Sequence, residues 1–150
     1  MRLRDFFAPE SIGLDLKAQT KPEALSAMVD LLRVDPSVGD TLRKLLEKRE
    51  QLGSCGVGRT IAIPHCRAPL IPQLRLAYGR VPLGLPYDAI DGQLVHNLFL
   101  IVAPPVEASN LYLPVLGRLA QFAKGADIPE RLAALASPED FFALLDERGA

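Results

Sequence analysis

The stretch "REQLGSCGVGRTIAIPHCRAPL", residues 49–70, decides how the rest of the chain is read. It begins with a charged turn, continues through a loop punctuated by Gly53, Gly56 and Gly58, and ends in a short apolar run, "TIAI", stopped by Pro64. Directly after that proline stands His65, one of only two histidines in 150 residues. Imidazole is a good nucleophile toward phosphorus when one ring nitrogen is unprotonated and correctly aimed. Phosphoryl transfer asks the protein mainly for in-line positioning and for donors around the equatorial oxygens. Glycine-rich backbone supplies such donors, because no side chain blocks close approach. An arginine adds charge-assisted, often bidentate contacts to phosphate. The loop "GSCGVG", the "PHCR" that follows and Arg49 upstream contain all of these parts. On the residues alone a second reading stands beside this one: the glycines serve turn geometry and His65 caps a strand end.

Outward from this segment, strand and helix patterns mix. "SIGLDLKA" alternates Ile12, Leu14 and Leu16 and reads as a first strand. "TKPEALSAMVDLL" opens with Thr20 and Glu23 in capping-box spacing, carries Pro22 in its first turn, and continues with Leu25, Met28, Val29 and Leu32 at helical spacing. A second helix is expected from about Ser37 to about Gln51, with Val38, Leu42, Leu45 and Leu46 on one face and Arg49 at its C-terminal end. "TIAI", "LRLAYGRV" and "LVHNLFLIVA" read as strands. A helix around "YLPVLGRLAQF" carries Leu113, Leu116, Leu119 and Ala120; Pro114 fits its first turn but not its interior. Asp127 with Glu130, and Ser137 with Asp140, begin two closing helices, the second with Pro138 in first position. No long linker divides the chain. Residues 1–150 are therefore expected to form a single domain of α/β class, with a sheet covered by helices on both faces as the simplest architecture.

Composition narrows the function. Hydrophobic residues make up 49%, charged residues 23%, and the formal net charge is −1, so no basic excess marks a nucleic-acid interface. The longest apolar run, "NLFLIVAPP", is strand-sized, and "MRLRDFFAPES" lacks the apolar core of a signal peptide. Neither nucleic acid nor direct membrane insertion is expected. Two cysteines, Cys55 and Cys66, do not make a secreted disulfide framework, and the cytoplasm is the expected compartment. Cys55, His65 and Cys66 are the only soft metal-ligand candidates near the loop. A tetrahedral site needs three or four converging ligands, and neighbours 65 and 66 point apart on an extended segment, so no metal is expected. His96, mid-strand in "LVHNLFL", reads as structural.

The order and spacing of "REQLGSCGVGRTIAIPHCR" carry more. The segment resembles the active-site segment of EIIA domains of the fructose/mannitol class of the phosphoenolpyruvate-dependent sugar phosphotransferase system, a class that includes standalone nitrogen-regulatory EIIA proteins. Members have the form R-E-x-x-G-S-T-G-x-G-x-G-I-A-I-P-H-G-[RK], which aligns with Arg49 through Arg67. "YDAIDGQLVHNLFLIVAP" resembles the later strand pair of the family, and residues 113–120 its L-x-x-L-x-x-L-A helix.

The resemblance implies a three-layer α/β/α sandwich with a mixed β-sheet flanked by helices, the EIIA type-2 fold. It implies that His65 accepts a phosphoryl group from an HPr-type phosphocarrier. Arg49 would be the active-site arginine, and Ser54, Cys55, Gly56 and Gly58, with Arg67, would bind the phosphate. EIIB or regulatory target proteins would be the receivers. No cofactor is implied, since the chemistry runs from histidine to histidine. Departures from the pattern fall at Cys55, which stands in a threonine slot, and at Thr60 and Cys66, which replace glycines. Arg59 stands where small or polar residues are common, and it, like Arg67, either contacts phosphate or an acidic partner or faces water. The largest departure is Tyr112, which occupies the slot of the family's second histidine. A tyrosine hydroxyl also donates a hydrogen bond but carries no proton charge at neutral pH. Three readings follow: a regulatory phosphocarrier of the nitrogen-regulatory kind, which is preferred; a sugar-transport EIIA passing phosphate to EIIB; and a degenerate binding module that no longer takes phosphate.

Overall fold

The computed structural model describes residues 1–150. A short 3-10 turn, Leu3–Phe6, leads into β1 (Phe7–Gly13). Two helices follow, α1 (Lys21–Leu31) and α2 (Pro36–Gln51), then β2 (Gly56–Gly58), β3 (Ile61–Ala62) and β4 (His65–Arg67). Two long strands, β5 (Arg75–Leu85) and β6 (Val95–Ala103), precede α3 (Tyr112–Ala123), α4 (Ile128–Ala133) and α5 (Pro138–Glu147). The sheet runs β1-β5-β6-β3-β2, with β4 also paired to β6. Pairings β1–β5, β3–β6 and β4–β6 are parallel, while β5–β6 and β2–β3 are antiparallel, so the sheet is mixed as expected.

Helices cover both faces. From Leu98 onward, β6 sends Leu98, Leu100 and Val102 into a core shared with Leu25, Met28, Leu42 and Leu46 of α1 and α2. Phe99, Ile101 and Ala103 enter a second core with Val115, Leu119, Leu132 and Phe141 of α3 to α5. A strand buried on both faces has no use for polar alternation, which is why "LFLIVA" is a continuous apolar run.

The capping signals act as expected. Thr20 accepts the Glu23 N–H at 3.3 Å, and Ser137 accepts the Asp140 N–H at 3.2 Å. Asp127 precedes α4 without a side-chain cap. Pro114 lies in the first turn of α3, where its missing N–H costs nothing. Two boundaries differ from expectation. β1 ends at Gly13 and begins at Phe7, so Ile12 is in the strand while Leu14 and Leu16 follow it. Parallel pairing with β5, Phe7 against Leu76 and Ile12 against Tyr78, overrides the local alternation. In "TIAI", Thr60 is not extended but left-handed, with φ 71°, and only Ile61 and Ala62 form β3.

Candidate functional site

β4 pairs His65 with Ile101, Cys66 with Val102 and Arg67 with Ala103, at the C-terminal end of β6. Side chains alternate along a strand. Cys66 enters the core under α1 and α2, so His65 and Arg67 turn to the other face, toward the start of α3. His65 is half-buried, and its Nδ1 lies 2.6 Å from the Ile63 carbonyl oxygen. A carbonyl only accepts, so Nδ1 carries the proton and donates it, and Nε2 of the neutral ring keeps its lone pair. Pro64, between strand segments β3 and β4, separates the histidine from the carbonyl that it bonds.

The glycine loop is held from inside. The Cys55 N–H donates to both carboxylate oxygens of Glu50, at 3.2 and 3.1 Å. The Gly56 N–H donates to Ser54 Oγ at 3.0 Å, and that hydroxyl donates to the Tyr87 carbonyl at 2.7 Å. These two amides of the expected phosphate cradle are thus engaged within the protein. Gly56 is required by packing, since a Cβ there would stand 2.8 Å from Ala89 Cα. Gly58 has φ +89°, a conformation side chains disfavour. Cys55 Sγ lies 3.7 Å from His65 Nδ1. Burial, reinforced by the negative charge of Glu50, pushes the Cys55 thiol up to about 12, and burial alone does the same for Cys66. Both are neutral thiols and poor nucleophiles. Nowhere do three His, Cys, Asp or Glu side chains gather to hold a metal ion.

Tyr112 and Arg67 gather beside His65, and the charge of Arg49 reaches the same cluster. Tyr112, the first residue of α3, has its ring centroid 5.9 Å from the imidazole. Arg67 stacks over that tyrosine, its guanidinium carbon 4.5 Å from the ring centroid, and its Nη1 donates to Pro104 O at 2.8 Å and Ser109 O at 3.4 Å. Arg49, half-buried at the end of α2, donates to the Gly53 carbonyl at 3.1 Å, bracing the loop. Its charge is felt at both Tyr112 and Cys55. Burial pushes the Tyr112 hydroxyl up to about 12, with Cys66 adding to the rise and Arg67 and Arg49 opposing it, so Tyr112 is a hydrogen-bond donor throughout the neutral range. Arg59 is remote from this cluster and bonds the far end of α3. His96, by contrast, donates from Nδ1 to Val81 O at 3.1 Å at the opposite end of β6. There it lines a cavity of about 490 Å³ with Thr60, Arg80 and Asn97.

Glu50 was not singled out by sequence reasoning, yet it organises the loop. Besides the Cys55 N–H, it accepts the Tyr87 hydroxyl at 2.9 Å and Lys21 Nζ at 3.3 Å, and it is only 9% exposed. The signal was present: Glu50 continues the buried stripe of Leu42 and Leu46 at four-residue spacing, where a carboxylate needs partners. Tyr87 and Lys21 come from distant segments and had no such signal. Around the cluster, the segments meeting at this end of the sheet carry exposed apolar side chains, among them Leu52 (83%), Leu113 (71%) and Val106 (67%). A half-buried imidazole beside such an apolar rim suits docking against another protein.

The profile of the family described as "Phosphoenolpyruvate-dependent sugar phosphotransferase system, EIIA 2" matches residues 5–148. Among characterised proteins, a "Nitrogen regulatory protein" of Bradyrhizobium diazoefficiens is 29% identical, covering 97% of this chain and 95% of that one. Among solved structures, nitrogen regulatory protein IIA-Ntr from Neisseria meningitidis superposes with a TM-score of 0.87 at 30% identity, covering 94% of this chain and 97% of that one. The IIA mannitol enzyme of Escherichia coli, solved in complex with phosphorylated IIB mannitol, shares the fold with a TM-score of 0.75 at 23% identity, covering 95% and 99% of the two chains.

Proposed function

This chain belongs to the EIIA 2 family of the phosphoenolpyruvate-dependent sugar phosphotransferase system, and from that premise we propose that it is a nitrogen-regulatory phosphocarrier that takes a phosphoryl group on His65 Nε2. We read residues 1–150 as one EIIA domain working in the cytoplasm; no helix is long and apolar enough to cross a membrane.

The observation that carries this reading is the Nδ1–H bond to Ile63 O, which leaves Nε2 as the nucleophile in a cluster with Tyr112 and Arg67 that the charge of Arg49 also reaches. The Nε2 lone pair attacks the phosphorus of a phosphohistidine on an HPr-type donor. The donor's N–P bond breaks, and its electron pair returns to the donor imidazole. Nδ1–H of His65 stays on Ile63 O, which stabilises the positive ring of the product. Arg49, together with the unbonded Nε and Nη2 of Arg67, offsets charge on the phosphoryl oxygens, and the Tyr112 hydroxyl donates where relatives have an imidazole. Ser54 and the glycines Gly56 and Gly58 hold the loop in shape, with Cys55 packed beneath the imidazole. The added negative charge of roughly 1.5–2 at neutral pH then alters which regulatory target the apolar rim accepts. Similarity to nitrogen regulatory proteins along nearly the whole chain supports the regulatory role. Similarity to a IIA that pairs with a IIB supports the second reading, transfer onward to an EIIB protein.

Intact-mass spectrometry at alkaline pH, after incubation with phosphoenolpyruvate, enzyme I and an HPr-type donor, tests the reading, with His65→Ala alongside. One acid-labile phosphoryl adduct, absent from the variant, is expected. No adduct with competent donors makes the chain a binding module instead. Rapid loss of the adduct on adding an EIIB domain selects the transport reading.

A further inference from the structure

Two arginines that flank His65 in sequence grip α3 at opposite ends. Arg67 holds the approach to its first turn, through Pro104 O and Ser109 O, and stacks on Tyr112. Arg59 reaches the other end: Nη1 donates to Ala123 O at 2.8 Å, and Nη2 donates to Gly125 O at 2.6 Å and Ala126 O at 3.2 Å. A guanidinium at a helix C-terminus satisfies carbonyls that have no helical partner and complements the helix dipole. α3 is 12 residues long, about 18 Å, so Arg59 acts far from the imidazole.

The backbone beneath Arg59 is strained and firmly held. Arg59 (φ 56°) and Thr60 (φ 71°) are consecutive left-handed residues joining β2 to β3. Such a two-residue hairpin turn favours Asn-Gly, and a β-branched residue there is an outlier. The Arg59 N–H donates to Asp91 Oδ2 at 2.8 Å. The Thr60 carbonyl accepts the His96 and Asn97 N–H groups at 2.9 and 3.0 Å. Thr60 Oγ1 accepts from Asn97 Nδ2 at 3.1 Å, and Asn97 Oδ1 accepts the buried Tyr78 hydroxyl at 2.6 Å. Strain of this kind persists where surroundings over-determine it, and it gathers at functional sites. Here it aims one arginine from the glycine-loop hairpin at the helix that carries Tyr112.

We propose that Arg59 is a positioning residue for phosphoryl transfer: it locks α3 to the glycine-loop hairpin and thereby sets where Tyr112 stands relative to His65. The proposal rests on the reading of His65 as phosphoryl acceptor and Tyr112 as donor to the phosphate. Arg59 itself touches no phosphate, its guanidinium being spent on helix carbonyls.

A double-mutant cycle tests it. Arg59→Ala, Tyr112→Phe and the double variant are compared with wild type for the single-turnover rate of transfer from a phosphorylated HPr-type donor. Amide hydrogen exchange at residues 111–116 is measured on the unphosphorylated proteins. Arg59→Ala is expected to lower the rate about 10-fold and to speed exchange at residues 111–116. In the Tyr112→Phe background the same change is expected to alter the rate by no more than about twofold, since the interaction it serves is gone. Arg59→Lys, which keeps the charge but not the fork, is expected to fall between, and it stands in if the alanine variant does not fold. Equal rate losses in both backgrounds overturn the proposal, as does unchanged exchange. If wild type takes no phosphate, the acceptor reading of His65 fails. Exchange at residues 111–116 then decides alone: faster exchange in the Arg59 variants supports the lock on α3, and unchanged exchange overturns it.

Discussion

His65 Nδ1 lies 2.6 Å from the carbonyl oxygen of Ile63, two residues earlier on the same chain. This contact chooses the tautomer, and in the proposed phosphocarrier the tautomer chooses the nitrogen that takes phosphate. Nitrogen-15 NMR of the neutral imidazole is expected to show a proton on Nδ1 and none on Nε2. After phosphorylation, phosphorus–nitrogen coupling is expected at Nε2. Phosphate found on Nδ1 contradicts the geometry.

Glu50 is the second residue to test. It accepts from the Cys55 N–H, the Tyr87 hydroxyl and Lys21 while almost entirely out of water. Glu50→Ala leaves the Cys55 N–H and the Tyr87 hydroxyl without a partner and leaves Lys21 only Asp88, at 3.7 Å, and is expected to cost about 3 kcal/mol or more. Glu50→Gln keeps one acceptor and costs less. Urea unfolding measures both. A loss under about 1 kcal/mol for the alanine variant means that water replaces the carboxylate at no cost.

Tyr112 stays protonated until about pH 12 because its partial burial disfavours the phenolate, with the neighbouring Cys66 reinforcing the effect. Phosphohistidine lifetime across neutral pH is therefore expected to show no inflection from this residue. Tyr112→Phe removes one donor and lowers the transfer rate about 10-fold to 100-fold. Tyr112→His places a titrating group there and is expected to introduce an inflection near pH 6.5, about the ordinary histidine value. An unchanged rate in Tyr112→Phe removes Tyr112 from the site.

Alkali is expected to destabilise the fold. The thiols of Cys55 and Cys66 are raised from 9.0 to about 12, and the Tyr112 hydroxyl from 10.0 to about 12. The folded state holds these protons more tightly than the unfolded chain. Their contribution to stability is full below pH 9.0 and is lost as pH rises toward 12. Urea midpoints are expected to fall from about pH 9 upward, less steeply in Cys66→Ala. The same neutrality predicts slow reaction of both thiols with aromatic disulfides at neutral pH; fast modification of the native protein contradicts it.

The apolar rim gives a prediction about docking. Leu113 is 71% exposed on the first turn of α3. Leu113→Asp is expected to leave stability within about 0.5 kcal/mol of wild type. It is expected to raise the donor concentration needed for half-maximal transfer about 10-fold. An unchanged concentration dependence moves the docking face elsewhere.

Much of the fold was legible because its signals are local. The Thr20–Glu23 capping box and the Ser137–Asp140 cap need only their own residues, and they act as read. The continuous apolar run of β6 announced burial on both faces. β1 lies earlier than its alternation suggests because its extent is set by β5, whose paired residues, such as Tyr78 for Ile12, are distant along the chain. Thr60 was read as strand because a β-branched residue favours one; Asn97 and the neighbouring backbone hold it in a turn instead. Within the site, His65, Arg49 and the glycines were marked by spacing along one segment. Glu50 was marked only by its four-residue spacing from Leu42 and Leu46, and Tyr87 and Lys21 were hidden by their distance along the chain.

By itself the sequence determined the family, the mixed sheet between helices, and the segment from Arg49 to Arg67 on which the candidate chemistry is written. Each depends on periodicity or on order over a short span, which the chain carries in one dimension. Only the tertiary structure decided which nitrogen of His65 is free, that two loop amides are engaged by Glu50 and Ser54, and that Arg59 and Arg67 hold opposite ends of α3. Those facts are hydrogen bonds whose direction, and for most of them whose partner, exists only once strand pairing has brought distant segments within about 3 Å of one another.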